Sequence, residues 1–394
     1  MTNKQYYEFP SLKEWTTSII DLQEKNGSFY IKLEDSAFYP EGGGQPSDFG
    51  TIDGNEVIEL IENDDEVIHV LKEKPSLLNV ECVIDWNRRI DHMQHHSGQH
   101  LLSATIIELY DIPTISFHLG RETVTIDLDT PSLSIEQIEQ IERAVYQKIL
   151  ENNEIKTYFV QKQDLDTLNL RKLPKVDDNI RIVEITGTDV SACCGTHVRR
   201  TGEIGFVKLM KTEKVRQSTR LHFKCGMRAF DEIQKTSSTL SVINSQLNTH
   251  SEIVKDKVEQ TILELKEAQK EIEKLKESIY DTLATELVCN SSNNMIHKSF
   301  PDETVKDLQF LAKIIASKRP SFLNFSSLKE NKILLINQTN SSIHCGELIK
   351  ELLNHFEGKG GGNAKQAQAT VESTNDLHEA TIFLTNLLHT KIEA

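Results

Sequence analysis

In the stretch His92-Met93-Gln94-His95-His96-Ser97-Gly98-Gln99-His100-Leu101-Leu102, four histidines fall within nine residues. If this stretch is helical, within a helix predicted over residues 86–110, His96 and His100 are separated by four positions and share one face. Two imidazoles placed in this way form half of a typical zinc site. The alternatives are a solvated polar helix face and the overlapping pair His92 and His96, so the stretch alone does not decide the matter.

Gly98 lies inside this predicted helix, where glycine costs about 1 kcal/mol relative to alanine. We therefore expect another part of the protein to approach the helix backbone closely at this position. Ser97 stands where His-Glu-x-x-His metallopeptidases carry their glutamate, which argues against a peptidase.

The second half of the site is predicted in Ser191-Ala192-Cys193-Cys194-Gly195-Thr196-His197, almost a hundred residues further along the chain. This stretch offers a thiolate and a third imidazole, and a mixed sulfur and nitrogen ligand set favours zinc. We interpret the two stretches as one metal site, and the rest of the chain as the part that presents a substrate to it.

Composition limits the class of protein. The 394 residues are enough for two or three domains, and a net charge of −16 argues against a generic nucleic-acid coat protein. No apolar run is long enough to cross a membrane, and the first residues lack the apolar core of a signal peptide. Six scattered cysteines do not form a disulfide framework. We therefore expect a cytoplasmic protein with no membrane partner.

One stretch is nevertheless basic. Between Arg199 and Arg228 there are nine Lys or Arg residues and two Glu, and the stretch begins two residues after His197. Such a stretch is often only a solvated face, but its position next to the predicted metal site favours a polyanionic substrate such as RNA. The candidate contacts in this stretch are Arg199, Arg200, Lys208, Lys211, Arg216 and Arg220.

Residues 1–85 are predicted to form a small antiparallel β domain, a β-barrel, because short alternating segments are separated by turn residues. This domain contains the stretch Phe38-Tyr39-Pro40-Glu41-Gly42-Gly43-Gly44-Gln45-Pro46-Ser47-Asp48-Phe49-Gly50. Gly42, Gly43 and Gly44 permit close approach of the backbone. The stretch is either a flexible hairpin loop or a recognition loop that uses Gln45 and Asp48.

Residues 86–230 are predicted to form an α+β domain with a sheet packed on helices. A helix over residues 134–152 begins at Ser134, which forms a capping box with Gln137. The stretch from Cys193 to His197 falls in a loop between two strands. Residues 231–285 form a helical or coiled-coil arm, since apolar residues from Val254 onwards step by four and three. This arm is either a spacer or dimer arm, or one half of an intramolecular helical pair.

Residues 286–394 are predicted to form an α/β domain, because helical and strand patterns alternate. A glycine-rich loop over residues 357–369 can cradle phosphates through its backbone N–H groups, and Lys359 and Lys365 add positive charge. Neither lysine occupies the position that a P-loop requires, so ATP hydrolysis is not expected.

Three motifs together resemble one family. His96-Ser-Gly-Gln-His100, Cys193-Cys-Gly-Thr-His197 and the glycine-rich stretch Phe38–Gly50 are similar to the editing domain of alanyl-tRNA synthetase, and more closely to the free-standing AlaX-type alanyl-tRNA editing proteins. The segment Gly358–Gly362 resembles the C-terminal domain of that synthetase. A helical arm between the two halves matches the long form of the AlaX-type proteins.

The resemblance implies one zinc ion per chain, bound by His96, His100, Cys193 and His197. Cys194 replaces the glycine that the synthetase carries there; the spacing favours Cys193 as the ligand, with Cys194 as the alternative. Nothing resembles the aminoacylation domain, so the protein would act in trans.

The implied reaction is hydrolysis of the ester that joins serine or glycine to tRNA(Ala), so the implied enzyme is an aminoacyl-tRNA deacylase. By their positions, Gln45 and His118 are the candidates to recognise the serine hydroxyl. A second copy of the chain, bound through the helical arm or the C-terminal domain, is a further expected partner. Two alternatives remain, a non-catalytic tRNA-binding protein with a structural zinc and a metal-dependent hydrolase of a small acyl substrate.

Overall fold

The structure, a computed structural model, describes residues 2–63, 66–120, 123–171, 179–291 and 294–393. The chain divides into two compact units, Met1–Ser245 and Gln246–Ala394. Helices occur with several sheets in the first unit and with one described sheet in the second, so the predicted α+β class is confirmed. The finer division into four domains stays a prediction. None of the described helices combines the length and the apolar character that crossing a membrane requires.

The described N-terminal part of the first unit consists of eight strands and one short helix. Six of the strands close into a barrel in the order β2-β3-β7-β6-β5-β8, and Ile31, Leu33 and Ile52 are fully buried in its core. These elements are β1 (Asn3–Lys4), α1 (Gln5–Glu8), β2 (Glu14–Lys25), β3 (Ser28–Leu33), β4 (Asp35–Ser36), β5 (Gly50–Ile52), β6 (Asn55–Asn63), β7 (Glu66–Leu71) and β8 (Asn79–Ile84).

Strand β2 was not predicted, because polar residues occupy most of its positions and only Thr17 and Ile19 are buried. It pairs with β8 through its first half and with β3 through its second half. One long bent strand therefore closes the barrel, and this role depends on pairing partners far away in the sequence.

The histidine-rich stretch lies on helix α2 (Trp86–Tyr110), which has the predicted bounds. Asp85 caps its first turn by accepting a hydrogen bond from the backbone N–H of Arg88 at 3.1 Å. The middle of the helix is buried on all sides, and His92, His95, His96 and His100 are each at most 4% exposed. The alternative of a solvated polar face is therefore wrong.

The rest of the first unit packs around α2. A four-stranded sheet has the order β14-β15-β10-β9, and a three-stranded sheet has the order β11-β12-β13. The capping box of Ser134 and Gln137 is confirmed at the start of α3. These elements are β9 (Thr114–Leu119), β10 (Val124–Leu128), α3 (Ile135–Leu150), β11 (Ile155–Val160), β12 (Ile180–Ile185), β13 (Asp189–Ala192), β14 (Val207–Val215), β15 (Ser218–Cys225) and α4 (Gly226–Gln246).

The expected close approach at Gly98 is confirmed. A β-carbon at this position would lie 2.5 Å from Sγ of Cys225, the last residue of β15. Cys225 is itself fully buried and has little room to move. The missing side chain of Gly98 thus lets the sheet lie directly on the helix that carries His96 and His100.

We predict that Gly98→Ala destabilises the protein, although alanine is the better helix former. Overpacking against Cys225 should lower the free energy of unfolding by about 1–3 kcal/mol, measured by urea denaturation. The double variant Gly98→Ala/Cys225→Ala removes the clashing sulfur and should recover much of that loss. A single variant as stable as the wild type would contradict the predicted contact.

The second unit contains one mixed five-stranded sheet of order β16-β17-β18-β20-β19, in which β16 and β17 are parallel and the other pairs antiparallel. Its elements are α5 (Val254–Asn290), β16 (Met295–Phe300), α6 (Val305–Lys318), β17 (Phe322–Ser327), β18 (Lys332–Asn337), α7 (Cys345–Leu353), β19 (Gly358–Gly362), β20 (Gln366–Val371) and α8 (Thr374–Glu393).

The predicted glycine-rich loop over residues 357–369 is wrong, because Gly358–Gly362 forms the edge strand β19 and pairs with β20. A β-carbon on Gly360 would lie 2.4 Å from the backbone oxygen of Gln368, so glycine allows the two strands to approach. Backbone groups that were expected to cradle phosphates therefore form hydrogen bonds to β20 instead. Lys359 is exposed, and Lys365 donates to the backbone oxygen of Thr339 at 3.0 Å.

Helix α5 confirms a long helix in the predicted arm. Its C-terminal part packs on α6 through the buried residues Tyr280 and Ala284. Further towards its N-terminus, Leu265, Ile272 and Ile279 of the predicted seam are each more than half exposed within this unit. The dimer arm and the intramolecular pair both stay predictions.

Candidate metal centre and substrate cleft

His96 and His100 on α2 meet Cys193 and His197, which lie in the loop after β13. One ligand atom from each of the four residues lies within 4.8 Å of the other three. Sγ of Cys193 lies 3.2 Å from Nε2 of His96 and 3.4 Å from Nε2 of His197. Ligands of a tetrahedral zinc ion with bonds of about 2.0–2.3 Å are about 3.3–3.6 Å apart. This group could therefore hold one metal ion.

In each imidazole of the cluster, Nδ1 points away from the cluster and has a hydrogen-bond partner elsewhere in the protein. Nδ1 of His100 lies 2.9 Å from the carboxylate of Asp189, and Nδ1 of His197 lies 3.0 Å from Oγ of Ser97. Nδ1 of His96 lies 3.0 Å from Oε1 of Gln45. Metal-binding histidines usually have such a partner, because it fixes the ring and its tautomer.

The Gln45 contact selects the tautomer of His96. Oε1 of Gln45 also accepts a hydrogen bond from the backbone N–H of Thr196 at 3.0 Å, and Nε2 of Gln45 donates to Oγ1 of the same threonine at 2.8 Å. An amide oxygen can only accept, so His96 donates from Nδ1 and carries its lone pair on Nε2. That lone pair is directed to the cluster, as a metal ligand requires.

Electrostatics favour the thiolate form of Cys193. Burial by itself raises the pKa of this thiol, but its interactions with His96, His197 and His100 outweigh burial and hold the pKa well below the usual value for cysteine. The thiolate is the form that binds metals. Burial lowers the pKa of His197 to about 3, with a further contribution from His96, so this imidazole is neutral at pH 7.

The loop that carries Cys193 and His197 is fixed by Arg181 and by Gly195. Arg181 donates from Nη1 to the backbone oxygens of Cys193 and Gly195, at 2.8 and 2.9 Å. A β-carbon on Gly195 would lie 2.1 Å from Cε1 of His96, so the imidazole fits only because this residue is glycine. Cys194 is exposed and lies outside the cluster, so Cys193 supplies the sulfur of this candidate site.

The glycine-rich stretch, residues 38–50, forms an ordered loop beside His96. Gly42 and Gln45 exchange backbone hydrogen bonds of 3.1 and 2.9 Å, and Gly43 and Gly44 have φ angles of +57° and +82° that favour glycine. Gln45 is fully buried with both amide atoms engaged, so in this conformation it contacts the metal centre and not the solvent. Asp48 is also buried, in an ion pair with Arg89.

A cleft of about 150 Å³ opens next to the cluster. His96, His100 and Cys193 form part of its wall, so the metal centre is accessible to a small molecule. Sequence reasoning missed the remaining side chains of this wall, although the position of Gln99 between two ligands on one helix was an available signal. The other residues that line the cleft are Gly43, Gln99, Thr114, Ile115, Ser116, Phe117, Arg171, Ser191 and Ala192.

Arg171 connects the cleft to the metal ligands. Its Nε donates to Oδ1 of Asp189 at 2.7 Å, and the other oxygen of that carboxylate holds His100. Burial raises the pKa of Asp189, but the hydrogen bonds and charges of His100 and Arg171 outweigh burial and lower it overall. Asp189 is therefore ionised at pH 7, and no motif in the sequence marked it or Arg171.

The other predicted pocket residue, His118, does not line this cleft. It lies on β9 but is exposed, and it lines a separate groove with the first turns of α2.

The predicted RNA contacts differ in how far acidic residues neutralise them. Lys208 pairs with Glu142 at 2.9 Å, Arg220 pairs with Asp127 at 2.7 Å, and Lys211 pairs with Glu213. Arg199, Arg200 and Arg216 are exposed, and no ion pair to them is found among the described residues. Of the six candidate contacts, these three are therefore the most available to a polyanion.

Two segments of the chain match known protein families. Residues 180–221, which include Cys193 and His197, match the threonyl and alanyl tRNA synthetase second additional domain. Residues 292–390 match the DHHA1 domain. The first match covers one wall of the metal centre, and the second covers most of the second unit.

Relatives extend the similarity to almost the whole chain. Alanyl-tRNA editing protein Aarsd1-A of Xenopus laevis is 30% identical over 380 residues, which cover 91% of this chain and 89% of the relative. Alanyl-tRNA editing protein AlaX-L of Pyrococcus horikoshii is 29% identical over 390 residues and 95% of both chains. Alanine--tRNA ligase of Pyrococcus abyssi is 28% identical over 414 residues, 98% of this chain but only 44% of the ligase.

The chain is thus similar along nearly its whole length to alanyl-tRNA editing proteins, and also to part of a tRNA ligase. The chain belongs to the family of alanyl-tRNA editing proteins.

We predict that Gln45→Ala weakens metal binding, because it removes the group that orients His96. The affinity for added Zn²⁺, measured by competition with a chromophoric chelator, should fall by about 10–100-fold. Gln23→Ala is the matched control, since Gln23 is an exposed glutamine on β2. Equal affinities of wild type and Gln45→Ala would show that the contact to His96 has no such role.

Proposed function

We propose that this protein is an aminoacyl-tRNA deacylase of the cytoplasm that hydrolyses the ester bond of tRNA(Ala) wrongly charged with serine or glycine. It would act in trans, on tRNA released by the ligase. Family membership supports the class of substrate. The observation that carries the proposal is that His96, His100 and Cys193 line an open cleft, so the metal centre can meet a substrate.

Zinc is the metal that fits the donor set, since three imidazole nitrogens and one thiolate suit its preference for nitrogen and sulfur. His96, His100 and His197 would bind it through Nε2 and Cys193 through Sγ. A bound zinc ion supplies Lewis acidity, which polarises a carbonyl or lowers the pKa of a water molecule.

The protein's own residues define what the cleft accepts. Its volume of about 150 Å³ equals the space of about five water molecules, which suits a small aminoacyl group. The hydroxyls of Thr114, Ser116 and Ser191 line it and can hydrogen-bond the amino group and ribose of the substrate. Asp189, held by Arg171, keeps the His100 ring in place.

Selectivity for serine over alanine requires a group that hydrogen-bonds the serine hydroxyl. A site built for such a bond can discriminate by about 10⁴-fold or more, since its polar group stays unpaired with the wrong substrate. Gln99 is the best-placed candidate, because it lines the cleft. Its Nε2 donates to Oγ of Ser103 at 2.8 Å, and its carbonyl oxygen remains available to accept a hydrogen bond from the serine hydroxyl. Gln45 would act on the reaction through His96, and His118 lies outside the cleft.

The body of the tRNA would contact the exposed cations. The strongest candidates are the exposed cations Arg199, Arg200 and Arg216 in the first unit and Lys359 in the second. Four further cations have partners in the structure but can exchange them for phosphates, namely Lys208, Lys211, Arg220 and Lys365. A homodimer through the exposed seam of α5 is a further proposal, supported by the apolar residues at coiled-coil spacing.

One observation favours the alternative of a non-catalytic tRNA-binding protein. Four protein ligands complete a tetrahedral zinc site, and such closed sites are usually structural. The accessible cleft beside the ligands distinguishes this centre from a buried structural site, and the two functions differ in whether turnover occurs.

We predict that the wild-type protein deacylates Ser-tRNA(Ala) and Gly-tRNA(Ala) much faster than Ala-tRNA(Ala), and that Cys193→Ala abolishes both the turnover and the bound zinc. Release of labelled amino acid and elemental analysis measure the two quantities. Cys194→Ala is the matched control and should retain zinc and activity, since its thiol is exposed and outside the cluster. Bound zinc with no turnover on any of the three substrates would establish the tRNA-binding alternative.

We predict that Gln99→Met, which keeps the size of the side chain but removes its polar group, reduces the preference for serine over alanine by at least ten-fold. The ratio of kcat/KM for Ser-tRNA(Ala) to that for Ala-tRNA(Ala) measures this preference. Zinc content should stay at the wild-type level, because Gln99 is not a ligand. An unchanged ratio would remove Gln99 from the recognition of the hydroxyl.

A further inference from the structure

A groove of about 850 Å³ lies beside the cleft, and the proposed chemistry does not use it. Three elements contribute residues to both cavities. Helix α2 contributes His96 to the cleft and His92 to the groove, and β9 contributes Phe117 to the cleft and His118 to the groove. The loop of residues 38–50 also lines both. Because His92 precedes His96 by one helical turn, about 6 Å along the axis, the groove begins next to the metal centre.

An aromatic side chain at this groove is open to solvent. Phe49 is 42% exposed, and the guanidinium of Arg88 lies 4.1 Å above the centre of its ring. The Arg88 side chain is fixed by a hydrogen bond of 2.8 Å from Nε to the backbone oxygen of Ser47. A flat pair of an arginine and an aromatic ring is a surface on which unpaired nucleic-acid bases stack.

The charges of the groove favour bases over phosphates. One of its two arginines is neutralised, since Arg228 pairs with Asp91. Glu41 and Asp231 are exposed in this groove, and neither has an ion pair among the described residues. Carboxylates repel phosphates but accept hydrogen bonds from the amino group of cytosine.

His92 adds a second indication of a polar occupant. It lines the groove and is only 2% exposed, and its Nδ1 has no hydrogen-bond partner in the described part of the protein. Buried polar atoms without a partner are rare, and at a cavity wall they can be satisfied by a ligand.

We propose that this groove binds the bases of the unpaired cytidines that precede the terminal adenosine of the tRNA, while the aminoacyl group occupies the cleft. The assignment rests on the proposed function, because it concerns the same substrate. It specifies that the first unit recognises the single-stranded end of the tRNA by stacking and by hydrogen bonds to bases, independently of the tRNA body.

The test compares two substrates, Ser-tRNA(Ala) and 2′(3′)-O-seryl adenosine, which lacks the preceding nucleotides. Phe49→Ala should raise KM for the tRNA about five-fold or more, the loss of one stacked base, with little change in kcat. The increase in KM should occur with Ser-tRNA(Ala) and not with seryl adenosine. Phe9→Ala is the matched control, because Phe9 is a similarly exposed phenylalanine of the first unit that does not line the groove.

A second pair of variants avoids any effect on the core. Met227 is 65% exposed at the groove, and Val242 is 56% exposed on the same helix α4 but does not line the groove. Met227→Glu adds a charge that repels RNA and should raise KM for the tRNA, whereas Val242→Glu should not.

The outcomes separate the two proposals. If the wild-type protein deacylates the tRNA but Phe49→Ala and Met227→Glu behave like their controls, the groove assignment is wrong and the proposed function stands. Equal losses on seryl adenosine and tRNA would also overturn the assignment, because the variants would then act on the cleft. If the wild-type protein deacylates neither substrate, the proposed function is wrong, and the groove assignment that rests on it is wrong as well.

Discussion

Arg89 on α2 and Asp48 in the loop of residues 38–50 form an ion pair in which both side chains are fully buried. The arginine also donates to the backbone oxygen of Pro10 at 2.8 Å, and the carboxylate accepts from the backbone N–H of Tyr39 at 2.7 Å. Such a pair need not add net stability, but removal of one partner leaves a buried charge and costs about 3–5 kcal/mol. It therefore specifies one position of the loop relative to the helix, and the geometry around His96 depends on that position.

The metal centre is a direct consequence of this arrangement. Gln45, three residues before Asp48 in the same loop, contacts His96 on the helix and Thr196 in the loop of the other two ligands. Three segments distant in sequence are thus joined by one amide group. Gly195 completes the contact, since the His96 ring occupies the space of a side chain there. The four candidate ligands are held in place by the protein itself, which would lower the cost of ordering them around a metal ion.

The four histidines of α2 have different roles, because each makes different tertiary contacts. His96 and His100 face the cluster. His95 is structural, because it donates from Nδ1 to the backbone oxygen of Asp91 and accepts from the backbone N–H of Cys225 through Nε2. His92 lies at the groove. Spacing along a helix places all four on a few faces, but it cannot specify which face meets the cysteine, because that depends on how sheets pack on the helix.

The amino-acid sequence by itself determined the features that depend on neighbours along the chain. These are the bounds of α2, the capping box at Ser134, and the two motifs that supply His96, His100, Cys193 and His197, since helical periodicity, capping and ligand spacing are local. Gly98 indicated that some part of the protein approaches the helix, and the tertiary structure identified that part as Cys225. Only the tertiary structure decided that β2 closes the barrel, that Gly358–Gly362 is a strand, that Gln45 supports a ligand, and that Gln99 and Arg171 line the cleft. Strand pairing and cavity walls bring together residues remote in sequence, and no local pattern records which of them meet.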